Sequence, residues 1–335
     1  METPGKINLF WKRAIVALIA ALPFAVGFSH DLLRPYTVTP DADLIYLVQA
    51  LRLGDGLSQT YNDHTGHAYI LILYVWLEFW SFVGVIPAPS HSIAIATQNI
   101  DDYIQPLVVA GRALSMSIGS LFSLAVMAGA RAMGMPGLLV IATGLLFSIS
   151  EGITAQTLIM RAEMVSSLAV AACFIALIQS QQAHGRAHLA WLVLAGVCAI
   201  LSLDAKVQAI IVLLGLPVLT LAMAPFHKPA PPETVTIETV IFSVYALAAG
   251  IPLMSVLILS LTLSDMAGPN TGYQALLALY LAACMVGFGY IYREPARRQI
   301  TGALALLAGF AVGTCFLFVW YSQRLLDALV HFVEH

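Results

Sequence analysis

A chain of 335 residues that is 60% hydrophobic and only 10% charged, with its apolar residues gathered in long blocks, reads as a polytopic membrane protein. A formal net charge of -3 spread this thinly, with no basic patch, excludes a nucleic-acid partner. Cys173, Cys198, Cys284 and Cys315 lie inside apolar runs without Cys-x-x-Cys or Cys/His spacing, so they are packing thiols and neither a disulfide framework nor a metal site.

Lys6, Lys12 and Arg13 precede the apolar run 14–28, which is long for a signal peptide and leads into further hydrophobic segments; it is expected to be a retained first helix. Runs long enough to cross a membrane cover residues 10–28, 107–130, 136–150, 163–180, 189–203, 207–224, 239–263, 273–292 and 300–322. A tenth run, 68–86, carries Tyr69, Tyr74, Trp76, Glu78 and Trp80, the composition of a helix at the membrane interface. The cations arbitrate, because short cytoplasmic loops collect Lys and Arg. If the tenth run does not cross, nine of the fifteen lie inside: Lys6, Lys12, Arg13, Arg131, Arg186, Lys228, Arg293, Arg297 and Arg298. If it crosses, the Arg293, Arg297, Arg298 cluster becomes external. The expectation is an all-α bundle of about nine spans in one integral membrane domain, with a long external loop over 29–106.

Within that loop the stretch 39–67 gathers Asp41, Asp43, Asp55 and Asp63, with His64 and His67. Leu44, Leu47, Val48 and Leu51 fall at helical spacing behind Pro40, with Asp41 or Asp43 as an N-cap and Gly54 and Gly56 as the stop, which predicts a short surface helix over 44–57. Pro87 and Pro89 mark an irregular return toward the second span. The nine-span threading also sets Arg112, Glu151, Arg161, Glu163, Asp204 and Lys206 at the same membrane face as Asp41 and Asp43. Charged groups gathered beside a membrane point to a substrate site.

In the second span Gly111, Ser115, Gly119 and Ser123 recur every four residues and give a small-residue face for close helix packing, a pattern repeated by Gly309 and Gly313. Pro23, Pro217 and Pro252 fall within spans as packing features. Residues 225–237 are a Pro-rich cytoplasmic connector, and no stretch predicts a soluble domain. Phosphate-binding, dinucleotide, zinc-protease and serine-hydrolase motifs are all absent from the sequence.

The succession of these segments resembles the GT-C superfamily of membrane glycosyltransferases, which includes protein mannosyltransferases and lipid A aminoarabinose transferases. The likeness covers about residues 10–224. PDADLIY resembles the acidic start of the family's first external loop, with Asp41 and Asp43 separated by Ala42 where the family pairs its acids. DHTGHAYILILYVWLEFW is similar to the histidine-led aromatic segment, with Thr65 and Gly66 in place of two prolines. Arg112, Arg131 and Gly134 match the span that follows, Arg161 and Glu163 the next external turn, and Lys206 the external lysine between two later spans.

The resemblance implies transfer of a sugar from a polyprenyl-phosphate donor to a lipid, glycan or protein hydroxyl on the external face. It implies a catalytic base at Asp43 or Asp41, and substrate contacts from Arg161, Glu163, Lys206, His64 and Arg112. A carboxylate at the water boundary can take the acceptor proton, and fixed cations can hold the departing phosphate. Asp43 has a competing role as a helix N-cap, and Asp204 is a ready ion-pair partner for Lys206. A metal held by Asp63, His64 and His67 is the weaker reading of those residues, so no cofactor is expected. The implied location is a bacterial inner membrane, with a cytoplasmic N-terminus and a periplasmic site. The rivals are a non-catalytic scaffold subunit and a small-molecule transporter, the latter wanting charged or broken helices near the bilayer centre.

Overall fold

The structure, a computed structural model, describes residues 4–30, 32–38, 42–57, 66–206, 209, 212–213 and 301–314, and among these its regular elements are all helices. The expected spans 239–263 and 273–292, and 207–224 apart from residues 209, 212 and 213, lie outside the described residues, as do Asp41, Asp63 and His64. The helices are α1 (Pro4–His30), α2 (Ala42–Gly54), α3 (His67–Phe82), α4 (His91–Ala96), α5 (Ile100–Ala132), α6 (Gly137–Ile149), α7 (Glu151–Thr157), α8 (Ala162–Gln182), α9 (Gly185–Ala205) and α10 (Thr301–Thr314), with a 3-10 turn at Tyr36–Val38. Three of them, α5, α8 and α9, are long and apolar enough to cross a membrane, and α6 with α7 forms a fourth such unit bent by 58°. The protein is therefore an α-helical membrane protein.

The chain divides into two compact units, Met1–Leu168 and Ala169–His335. In the first, α5 is the axis. Its 33 residues make a rod of about 50 Å, against a hydrocarbon core of about 30 Å. The second span thus begins at Ile100, earlier than the run 107–130 suggests, because Asp101, Asp102 and Gln105 continue the helix as a polar overhang.

Neighbours pack along α5 in a consistent register. From α1, Ile19 meets Met127 and Ala130, Ser120 Oγ donates to the Ala20 carbonyl at 2.6 Å, and a Cβ at Gly27 would stand 2.1 Å from Met116 Cε. Chain numbers rise on one helix as they fall on the other, so α1 is antiparallel to α5. The chain then rises past α5 a second time. Val140 joins the cluster that holds Met127 and Ala130, Gly144 lies against Met127, Ser148 Oγ donates to Ser123 Oγ at 2.8 Å, Thr157 fills the space at Gly119, and Met160 the space at Gly111. Phe122 and Phe147 add an edge-to-face contact with centroids 5.0 Å apart. The small residues on α5 are sites where a neighbouring side chain enters, as their four-residue spacing predicts.

Helix ends follow local chemistry. After α5, Gly134 takes a positive φ of 81°, and the amides of Gly134 and Met135 return to the carbonyls of Arg131 and Ala130. Gly56, with φ 68°, closes α2 the same way onto Leu53 and Arg52, as the glycine pair in the sequence predicts. In the second unit, α8 and α9 form a hairpin tied by His188 Nδ1 and the Ser180 carbonyl at 2.7 Å. There α9 also crosses α10, with Gly309 against Val193 and Gly313 against Ile200, so the two run in the same direction.

Candidate functional site

The chain between α1 and α5 folds around the overhang of α5. Its first stretch, Leu32–Val38, is strapped along one face of that helix. Arg112 donates to the carbonyls of Leu32 (3.5 Å) and Arg34, Gln105 Nε2 donates to the Arg34 carbonyl (3.3 Å), and Tyr36 donates its amide to Gln105 Oε1 (3.1 Å). The Tyr36 hydroxyl donates to Asp101, whose carboxylate, with burial second, raises the phenol above its ordinary range.

Four residues beyond the strap α2 begins, carrying Asp43 in its first turn. One turn on, Tyr46 packs edge-to-face on Tyr69 with ring centroids 5.2 Å apart, and Tyr69 hydroxyl pairs with Ser115 Oγ at 3.2 Å. Beside Tyr46 sits Gly66, where a Cβ would lie 3.0 Å from Tyr46 Cε1 and 3.2 Å from Ala162 Cβ. This contact joins three parts of the chain that the sequence keeps apart: the acid-bearing helix α2, the start of α3, and the turn into α8. His67, next to Gly66, buries Nδ1, and Glu163, next to Ala162, buries Oε2. Arg161 is half-buried on the same turn, one residue after the fully buried Met160.

Of the expected site residues, Asp43 opens α2 one turn before Tyr46, Arg161 and Glu163 flank the Ala162 that meets Gly66, and Arg112 lies in α5. Arg112 is 1% exposed, with carbonyls of the strap as partners. Lys206 belongs to the second unit, where it follows α9 in extended conformation and returns its amide to Ser202 at 2.9 Å; its neighbour Asp204 is buried. Among the described residues no group of three His, Cys, Asp or Glu could hold a metal.

α3 is shorter than the run 68–86 and runs antiparallel to the overhang: Tyr69 is at Ser115, Leu73 at Gly111, and Trp76 Nε1 donates to the Ala110 carbonyl at 2.8 Å. Its outer face, Ile72, Val75, Phe79 and Phe82, is exposed and apolar, as an interfacial helix requires. The far end of α2 is fixed by Asp55. Its carboxylate accepts from Ser92 Oγ, the Ser92 amide (2.7 Å) and Ser90 Oγ (3.2 Å), and these bonds, the Ser92 hydroxyl foremost, hold it below the usual carboxylate range. Tyr103 hydroxyl braces the same loop, accepting from the Ser90 amide at 2.9 Å and donating to the Ala88 carbonyl at 2.6 Å. Helix α4 and this clamp were not legible in the sequence, since the only local cue is Ser90 ahead of a six-residue apolar stretch.

No family model, curated protein or solved structure matches the chain. The site is therefore defined by its own residues: an acidic helix start, a buried carboxylate oxygen with an adjacent arginine, and an aromatic pair, all beside the end of a transmembrane bundle.

Proposed function

We propose that the protein is a membrane glycosyltransferase of GT-C type, which moves a sugar from a polyprenyl-phosphate donor to an acceptor hydroxyl at the external face of a bacterial inner membrane. The observation that carries this reading is the junction at Gly66, where α2, α3 and the Arg161–Glu163 turn meet. Asp43 is the base, with Asp41 as its partner or substitute. Arg161 is the phosphate contact in the first unit, Glu163 orients it, and His64 belongs to the acceptor side; Lys206, in the second unit, is a separate candidate for phosphate. The leaving phosphate is stable without a proton, so the demand on the protein is to accept the hydroxyl proton and to hold developing negative charge. Arg suits phosphate through its planar fork and Lys as a point charge.

The packing supports nine spans with α3 outside the count. Because α1 and α5 are antiparallel, a threading in which both cross requires an even number of crossings between them, which α3 alone cannot supply. The shared direction of α9 and α10 is likewise what nine spans demand of the fifth and ninth.

A transporter reading draws on the 58° break between α6 and α7. Among the described residues around that break, the buried polar groups are Ser148, Thr157 and Gln156 Oε1, while Glu151 is exposed. The enzyme reading is tested by Asp43→Asn and Asp41→Asn, singly and together, in membrane vesicles supplied with undecaprenyl-phosphate-linked radiolabelled glucose. Loss of a general base predicts a fall in label transfer of about 100-fold or more in the double variant at unchanged insertion. Wild-type transfer by the double variant would dispose of the proposed base.

A further inference from the structure

Asp101, Gln105 and Arg112 are separated by four and seven residues and so share one face of α5. Each of them holds the same seven-residue stretch, Leu32–Val38, in antiparallel order: Arg112 at Leu32 and Arg34, Gln105 at Arg34 and Tyr36, Asp101 at Tyr36. An irregular segment has no helix to satisfy its carbonyls, and a buried guanidinium has five donors to place. Each therefore answers the other's need. The strap ends at Val38, and the four steps to Ala42 can span at most about 14 Å, which tethers the first turn of α2 close to the strap. Asp55 pins the opposite end of α2 through Ser90 and Ser92. The helix is pinned at its far end and tethered by the short connection at its start, with Tyr46 seated between them.

We infer that Arg112 is a positioning residue: by holding the Leu32 and Arg34 carbonyls it sets the place of the acid-bearing start of α2, and it is not a phosphate ligand. What α2 is placed for rests on the glycosyltransferase reading; the holding of the strap does not. The same role extends to Gln105 and to the Tyr36–Asp101 pair at the outer end.

The test uses the full chain in nanodiscs, with Arg112→Gln, Arg112→Lys and Tyr36→Phe. Amide hydrogen exchange is read over 32–38, 42–54 and 137–149, binding is measured with undecaprenyl phosphate, and turnover with undecaprenyl-phosphate-linked radiolabelled glucose. In Arg112→Gln, exchange over 32–38 and 42–54 is expected to rise about tenfold or more while 137–149 is unchanged. Affinity for undecaprenyl phosphate stays within about twofold, and kcat falls about tenfold or more without a matching rise in KM. Arg112→Lys, which keeps the charge and one donor cluster, restores part of the protection. Tyr36→Phe removes only the outer contact and, should Arg112→Gln fail to fold, shows the same pattern at a smaller amplitude. The proposal is overturned if affinity for undecaprenyl phosphate drops tenfold with exchange over 32–54 unaltered, or if the strap loosens while α2 and kcat do not respond. A wild-type protein that ignores undecaprenyl phosphate removes the glycosyltransferase reading, while the exchange data still decide the strap.

Discussion

Asp55 shows how a single carboxylate can organise a loop far from it in sequence. The serines it binds are 35 and 37 residues downstream, so the bond closes a long excursion containing α3 onto the end of α2. Its folded pKa lies below the unfolded value of about 3.9, so its contribution is fully present above that pH and is lost as pH falls through the folded value. Protection of the Ser92 amide against hydrogen exchange should therefore be constant from neutrality to about pH 4 and decline below it. Asp55→Asn should flatten this decline and leave Ser92 less protected at neutral pH; an unchanged profile in that variant would show that the clamp does not depend on the carboxylate. In the sequence Asp55 is one of four acids in the stretch 39–67, and nothing marks it as structural, because its partners are ordinary serines behind two prolines. Arg112 is a similar case: its place at the head of an apolar run is equally suited to a substrate and to a strap, and only the direction of its hydrogen bonds separates them.

At the scale of elements, legibility follows how each helix satisfies its surroundings. α8 and α9 match the runs 163–180 and 189–203 because apolar length alone dictates them. α5 and α7 exceed what hydropathy marks, since their extra turns are polar and held by tertiary contacts: Asp101 and Gln105 by the strap, Thr157 by the notch at Gly119. The glycine pattern was legible, and it yields a sharp contrast. A Cβ at Gly309 would lie 2.0 Å from the Val193 carbonyl oxygen and one at Gly196 would lie 2.3 Å from that of Leu306, and backbone cannot swing aside as a side chain can. Gly309→Ala or Gly196→Ala should separate α9 from α10 and destabilise the protein by about 1–3 kcal/mol. Gly152→Ala in α7, where the added methyl meets nothing within 4 Å, should be neutral or slightly stabilising. Unfolding in mixed micelles by sodium dodecyl sulfate distinguishes the two sets, and equal midpoints across all three variants would contradict the close crossing.

For the whole molecule, the decisive quantity is how often the chain crosses between α1 and α9. α6 is only 13 residues, about 20 Å, too short for a hydrocarbon core of about 30 Å, so the bent pair could be a re-entrant loop or a broken span. Its contacts on α5 favour the span: they climb from Met127 through Ser123 and Gly119 to Gly111, sixteen residues of α5 or about 24 Å. α8 then returns past Gly119 through Met164. On the nine-span threading three crossings separate the loop before α5 from the turn between α8 and α9, and the two loops are expected on opposite sides. In a background with Cys173, Cys198, Cys284 and Cys315 replaced, Ala88→Cys and His184→Cys report on them, both positions being exposed. With the long loop external, an impermeant maleimide should modify the cysteine at 88 in intact spheroplasts and the one at 184 only after permeabilisation. The reverse pattern would mean that α3 crosses, while labelling of both from one side would mean that α6 and α7 turn back. Either result would move Arg161 and Glu163 to a different membrane face from Asp43 or invert the face on which all three lie, and no sugar donor could then meet them as proposed.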